Sequence, residues 1–402
     1  MEKKNIGVFF GSGSPEHDVS IITGEMVISG LRKLGYPVTP VYITKTGRWM
    51  IGEDLGSLKL FTDPYKKIDE EKKFFEYYID LEASVGKLVF RRKGLAGKTA
   101  AVDIAFPALH GSYGEDGTIQ GLFEMFGVPY VGCDVPSSAI AMDKALAKIV
   151  MQQHGIPTTK FIYFYKTDWN RDRQAIISRV KTELSGPVFV KPVHLGSSIG
   201  IAKIKPGDDK DLEFRIEVAL HYDNKVLAEE GVQDVMDVTC CLTGNEILRA
   251  SRLQESVFSS ELFDFEEKYL KEGGAQLGKS QSGVVIPARL DEAVTSAIQE
   301  TAREVYRAVG CSGIARVDFL LDKQTNKFYA NEVNPLPGTL YHHLWKASGV
   351  DMGQLLEELI SLAEEKHKQK RGVNFTFESN ILKQLNSQKL GGKLRKKTDE
   401  RG

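Results

Sequence analysis

Apolar residues along this chain come in short runs separated by stretches where they recur at helical spacing. Ile6 to Phe10 is a largely apolar run, Val19 to Leu34 has a helical period, and Val38 to Ile43 is a second run. Val102-Asp103-Ile104-Ala105-Phe106 reads as a buried strand, Ile119 to Phe126 as a helix, and Val128 to Val131 as another strand. Strands alternating with helices predict a parallel α/β sheet over residues 1–132. Residues 50–100 break this rhythm. They are rich in Lys, Glu and Asp, and predict an irregular excursion with a hairpin at Ser84 to Arg91.

A helix over Ala139 to His154 opens a second segment, 133–232, with two strands facing each other across a Gly/Ser loop. Residues 233–365 return to strands, with helices at Asp291 to Val309 and Met352 to Lys366. The remainder, 366–402, is basic, poor in large apolar residues and predicted to be loosely ordered, which favours a solvated tail over one that binds an anionic partner. At 402 residues the chain is long enough for two or three domains. It has no internal repeat.

Composition narrows the function classes. The chain is 42% hydrophobic and 27% charged, with net charge −1, so nothing draws it to nucleic acid or an anionic membrane. No apolar run approaches the roughly 20 residues of a membrane span. The start lacks a long apolar core and a small-residue cleavage site, and reads as a first strand. Cys133, Cys240, Cys241 and Cys311 show no C-x-x-C spacing, so reduced, buried thiols in a cytoplasmic protein are expected.

The densest chemistry lies late in the chain. Gly313-Ile314-Ala315-Arg316-Val317-Asp318-Phe319 precedes Asn331-Glu332-Val333-Asn334-Pro335-Leu336-Pro337-Gly338. Phe319 to Leu321 and Lys327 to Ala330 predict two strands joined by a turn at Asp322 to Asn326. Side chains alternate across a strand, so Glu332 and Asn334 share a face and Asp318 can meet them from the neighbouring strand. Two carboxylates and an amide oxygen form a hard site of the kind Mg²⁺ uses beside nucleotide phosphates. Arg316 falls on the same face, placed to stabilise an oxyanion. A hairpin with a solvated acidic face is the competing reading.

Pro187 to Pro192 followed by Gly196-Ser197-Ser198-Ile199-Gly200 reads as strand, flexible loop, strand. The glycines let backbone N–H groups turn toward an anion, Ser197 and Ser198 add hydroxyls, and Lys191 adds a cation. It is not a Walker A loop. A plain glycine hairpin is the alternative. Gly11-Ser12-Gly13-Ser14-Pro15-Glu16 is not a dinucleotide fingerprint either, since Glu16 stands where the third glycine belongs, and this argues against a nicotinamide dehydrogenase. Val226 to Val232 reads as a strand entering a hinge. Leu109-His110-Gly111-Ser112-Tyr113-Gly114-Glu115-Asp116-Gly117 follows a buried strand, where α/β sheets place ligands. Glu115 and Asp116 are expected to cap the next helix.

Taken together, these motifs resemble the D-alanine–D-alanine ligase family of the ATP-grasp superfamily, from about Lys4 to about Glu365. The resemblance implies an N-terminal parallel-sheet (pre-ATP-grasp) α/β domain, 1–132, then a two-part ATP-grasp module, 133–232 and 233–365. It implies ATP-dependent joining of two D-alanines through an acyl phosphate, for peptidoglycan precursors, in a cytoplasmic homodimer. The cofactors it implies are ATP and Mg²⁺, two ions, with Mn²⁺ able to substitute, at Asp318, Glu332 and Asn334. By the same resemblance Lys144, Lys191 and Ser198 meet the nucleotide phosphates. Glu229, Glu230 and Val232 hold adenine, and Asp237 the ribose. Glu16 takes the first substrate's ammonium beside Ser197 and Tyr269, and His110 lies on the substrate side. Lys268 and Tyr269 resemble an active-site lid, and Arg316 with the Gly338 N–H stabilises the tetrahedral oxyanion. His343 replaces the family's second-substrate Ser. That departure leaves D-serine or D-lactate as alternative second substrates; a catalytically inactive nucleotide-binding regulator is the other reading.

Overall fold

The computed structural model describes residues 3–62, 68, 75–94, 97–257, 283–374 and 376–379. It forms two compact units, Met1–Glu364 and Glu365–Gly402. The first contains three sheets in chain order. No described helix is long and apolar enough to cross a membrane, and all four cysteines are free and buried.

The first sheet has seven strands: β1 (Ile6–Gly11), β2 (Val38–Ile43), β3 (Trp49–Ile51), β4 (Phe75–Ile79), β5 (Leu88–Arg92), β6 (Thr99–Val102) and β7 (Ile104–Pro107). Their order is β6-β5-β4-β3-β2-β1-β7. β1 pairs in parallel with β2 and β7, as strand–helix alternation predicts. The excursion over 50–100 is not irregular where it is described: β3 to β6 extend the sheet by antiparallel pairs. The strand expected over Val102 to Phe106 is two strands, parted at Asp103, whose carboxylate accepts from the Asn5 N–H at 2.9 Å. β6 and β7 stand at opposite ends of the strand order yet one residue apart, so the sheet curls until its edges meet. Val128 to Val131 contributes a single bridge, Ala105 to Tyr130.

The second sheet, in the order β10-β9-β11-β8, holds β8 (Phe161–Tyr165), β9 (Val188–Pro192), β10 (Ala202–Ile204) and β11 (Lys225–Glu230). The third holds β12 (Val235–Gly244), β13 (Arg249–Ala250), β14 (Gln254–Ser256), β15 (Val284–Val285), β16 (Gly313–Asp322) and β17 (Phe328–Asn334). The hairpin carrying Asp318, Glu332 and Asn334 is therefore longer than the sequence predicts, but its turn falls close to where expected.

The single helix expected over Ala139 to His154 is two, Val135–Met142 and Lys144–Gln153. Asp143 breaks it with ψ 98°, and its side chain accepts from the Leu146 N–H at 2.9 Å as the N-cap of the second helix. Lys144 thus becomes a first-turn residue. The last helix, Met352–Arg371, runs five residues past the predicted end at Lys366.

One core cluster unites Ile6, Val8, Phe10 and Phe106 of the first sheet with Leu336, Leu340, Leu344 and Trp345, and with Leu355, Leu356, Leu359 and Ile360 of the last helix. A second cluster lies between the third sheet and the helix Glu292–Val309, and a third inside the second sheet's own layer.

Candidate active site

One face of the third sheet is a polar ladder. Register pairs Gln254 with Thr239, Thr239 with Asp318, and Asp318 with Glu332, across β14, β12, β16 and β17. Directly paired antiparallel residues project to the same side, so these four share one face. The next row carries Cys241, Arg316 and Asn334. The face predicted from alternation is thus the observed one. The register shifts between Asp318 and Phe319, leaving Asn331 unpaired, and a bulge of this kind re-aims neighbouring side chains. Asn331 and Glu332 both line the adjoining cleft.

Asp318 is heavily engaged. It accepts from Arg316 Nη2 at 2.7 Å, from Thr239 Oγ1 at 2.8 Å and from Asn334 Nδ2 at 3.2 Å. Arg316 lies 4.7 Å above the ring of Tyr341 and 3.7 Å from Glu332. Tyr341 ends three consecutive left-handed residues, Thr339, Leu340 and Tyr341, with φ of 48°, 54° and 50°. Non-glycine residues persist there only where packing over-determines them, and such strain clusters at functional sites. All three are buried directly after Gly338.

The opposite wall belongs to the second sheet. Lys191, Gly196, Ser197 and Ser198 from β9 and its loop, and Glu229 to Val232 from the end of β11, line the cleft with Asp237, Asp318 and Glu332. Ser197 and Ser198 have φ of 55° and 59°. Lys144 donates to the Leu195 carbonyl at 2.7 Å and lies 3.5 Å from Glu332, so it joins the two walls. His194, in the same loop, sits between two carboxylates. Its Nδ1 lies 3.0 Å from Asp223 and its Nε2 3.4 Å from Asp143, and these hydrogen bonds raise its pKa to about 9. Lys225 reaches the same Asp143 carboxylate at 2.6 Å.

Glu229 lines the cleft with its carboxylate held by two lysines. Its side chain is 2% exposed. One oxygen pairs with Lys191 and the other with Lys148 at 3.0 Å, and the Thr159 hydroxyl donates to the latter at 2.9 Å. Burial pushes its pKa up, but the charges of Lys148 and Lys191 prevail and hold it at about 2. Glu230 and Val232, the other two residues expected at an adenine, line the same cleft.

A second chamber opens toward the first sheet, lined by Glu16, His110, Glu115, Lys144, Gly196, Ser197, Arg316, Asn334 and Gly338. The Ser197 hydroxyl donates to Glu16. His110 Nε2 lies 2.8 Å from Thr23 Oγ1, which accepts from the Thr339 N–H at 3.0 Å. Asp116 accepts from the Thr118 N–H at 2.9 Å, but the N-cap of that helix is Gly117, with no side-chain cap hydrogen bond, so Asp116 is not the cap expected. Glu115 does not cap that helix. It accepts from the Gly111 N–H at 2.7 Å and lies 3.8 Å from His110, because the tight turn at Gly111 carries it back into the chamber.

His343 lines neither chamber among the described residues. Its Nε2 lies 2.7 Å from Gln254 Oε1, and Nδ1 is buried without a hydrogen-bond partner. Burial, then the charges of His342 and Arg316, lower its pKa to about 4. Lys268 and Tyr269 lie outside the described residues. Sequence reasoning passed over Lys148, Thr159, Thr239, His194 and Tyr341. For Lys148 one signal existed, since it follows Lys144 by four residues on one helix face.

Solved structures share this architecture. The D-alanine-D-alanine ligase from Coxiella burnetii superposes with a TM-score of 0.75 at 28% identity, covering 92% of this chain and 97% of that one. The VanG D-Ala:D-Ser ligase from Enterococcus faecalis gives 0.74 at 33% identity, covering 90% and 100%. The fold is that of the ATP-grasp ligases. The family models described as D-ala D-ala ligase N-terminus and C-terminus match residues 5–133 and 150–361. A D-alanine–D-alanine ligase from Caldicellulosiruptor bescii is 38% identical over 385 residues, 94% of this chain and 100% of its own length. One from Thermosipho melanesiensis is 37% identical over 379 residues, 94% and 98%. The chain belongs to the D-alanine–D-alanine ligase family.

Proposed function

We propose that this protein joins two D-alanines to D-alanyl-D-alanine at the expense of ATP, supplying a peptidoglycan precursor. One observation carries the reading. The two chambers share a wall made of Lys144, Gly196, Ser197, Arg316 and Glu332. A phosphoryl donor in the larger chamber and an acceptor in the smaller one therefore meet across the same charged side chains. The homodimer and the cytoplasmic location implied by the family belong to the same reading.

The first D-alanine sits with its ammonium toward Glu16. Its carboxylate attacks the γ-phosphorus of ATP, ADP leaves, and an acyl phosphate forms. The second D-alanine's amine attacks the acyl carbon, the tetrahedral oxyanion is met by Arg316 and the Gly338 N–H, and phosphate departs as the peptide bond forms. Lys144 and Lys191 offset the charge of the transferring group.

Asp318, Glu332 and Asn334 fit Mg²⁺ by donor chemistry. Among the described residues no three His, Cys, Asp or Glu side chains gather, and the set is instead two carboxylates and an amide on paired strands. Asn331 Oδ1, buried without a partner, lies in the same cleft. Mg²⁺ held there would neutralise phosphate charge.

The test is to supply ATP, Mg²⁺ and D-alanine labelled with ¹⁸O in its carboxylate. ADP, the dipeptide and phosphate carrying one label are expected. Phosphate without label would exclude the acyl-phosphate route, and no ADP release would exclude the ligase reading.

A further inference from the structure

Behind the wall of the larger chamber lies a lysine that the reaction above does not use. Lys148 is on the same helix as Lys144, one turn further on, with its side chain 1% exposed. Unlike Lys144, it does not line the chamber. Its ammonium lies 3.0 Å from Glu229 Oε2 and donates to the Thr159 hydroxyl at 3.0 Å. Glu229 spends its other oxygen on Lys191, which does line the chamber. Lys191 pairs in register with Leu227, so Lys191 and Glu229 are diagonal neighbours on adjacent strands.

The arrangement is one carboxylate between two ammonium groups, and its net charge is +1. With Lys148 absent, Glu229 and Lys191 would form a neutral pair. A phosphate facing Lys191 would then meet a cation already cancelled by a carboxylate in hydrogen-bond contact. In a partly dehydrated wall such a loss is not screened as it would be in water.

We propose that Lys148 is a positioning residue for nucleotide binding: by holding one half of Glu229, it leaves Lys191 with positive charge to offer the phosphates. It touches no ligand itself. The inference rests on the nucleotide reading of the larger chamber. Its distinguishing feature is selectivity, because the effect belongs to the phosphates and not to the base.

The experiment compares two ligands by isothermal titration calorimetry, a non-hydrolysable β,γ-imido analogue of ATP with Mg²⁺, and adenosine alone. Lys148→Met is expected to weaken the analogue about tenfold or more while leaving adenosine unchanged. Lys148→Arg keeps the charge and is expected to keep the wild-type ratio of the two affinities. The double variant Lys148→Met/Glu229→Gln removes one charge of each sign, restores the net +1, and is expected to recover the ratio. It also leaves no uncompensated buried carboxylate, so it keeps the test open where the single variant does not fold. Equal weakening of both ligands in Lys148→Met, or a double variant that loses the ratio, would overturn the proposal in favour of a purely structural lysine. Wild-type protein that fails to bind the analogue would overturn the nucleotide reading itself.

Discussion

The hydroxyl of Ser197 donates to the carboxylate of Glu16, 181 residues earlier in the chain. That hydrogen bond ties the glycine-rich loop of the second sheet to the turn that follows the first strand. It also bears on when Glu16 ionises. Burial, then the charge of Glu115, raise the Glu16 pKa, while the hydrogen bond from Ser197 and the charges of His110 and Lys144 oppose them.

In the proposed mechanism the Glu16 carboxylate holds the first substrate's ammonium, and a raised pKa means that charge is lost sooner as pH falls. The acid limb of kcat/KM for D-alanine is therefore expected above the ordinary carboxyl value of about 4.3. Ser197→Ala removes a lowering influence, so its limb should move to higher pH. Glu16→Gln should abolish the limb and reduce kcat/KM by about 10²-fold or more. A pH–rate series on the three proteins checks this, and a limb that moves down in Ser197→Ala contradicts the assignment.

Glu332→Gln should leave the fold intact and cut turnover by about 10²-fold or more, with a higher Mg²⁺ requirement. The Glu332 side chain is 25% exposed at the chamber's edge, so a neutral isostere leaves the core untouched. Thermal melting with a Mg²⁺ titration of ADP release separates the two effects. Near wild-type ligation at limiting Mg²⁺ would remove Glu332 from the metal site.

His194 should make nucleotide binding fail on the alkaline side. Its pKa is raised to about 9 by Asp143 and Asp223, so the charged clasp on the loop is complete below about 6.5 and is lost as pH rises through about 9. KM for ATP is expected to climb above pH 9 in the wild type. In His194→Ala it should be raised at every pH, without that step. A wild-type profile flat to pH 10 would show that the clasp does not govern the loop.

His343, which stands where the family has its second-substrate Ser, lines neither chamber among the described residues. Held by Gln254 and depressed to about 4, it is neutral throughout the assay range. Competition between D-alanine, D-serine and D-lactate is accordingly expected to rank them in that order at both pH 6 and pH 8. A product ratio that reverses between those values, or depsipeptide dominating at pH 8, would count against a neutral imidazole and against the dipeptide product.

What was legible in the sequence is what depends on neighbours along the chain. Asp318, Glu332 and Asn334 were found because alternation along two short strands fixes which side chains share a face. The glycine loop and Lys191 were found because loop chemistry is local. Lys148 was not, since the sequence does not tell which of two lysines on one helix face turns into the core. The contacts of Glu229 with Lys148, Thr159 and Lys191 were hidden because these partners come from three separate segments of the chain. The break at Asp143 was hidden because every residue from Ala139 to His154 tolerates a helix. Asp103 likewise gives no local sign that the strands beside it part toward opposite edges of a curling sheet.

The core shared by the first sheet and the last helix has a consequence for synthesis. Lys4 pairs with Glu364 at 2.6 Å across a separation of 360 residues. A side chain at Gly30 would press within 2.5 Å of Leu356. The helix His17–Lys33 covers β1 early, but its surface at Gly30 stays uncovered on the ribosome until Leu356 has emerged. Domains usually fold in the order they are made. Here a layer made earlier waits for the last helix to seal it, so a ribosome stalled before Leu355 leaves a nascent chain with an open apolar surface for chaperones and proteases to find.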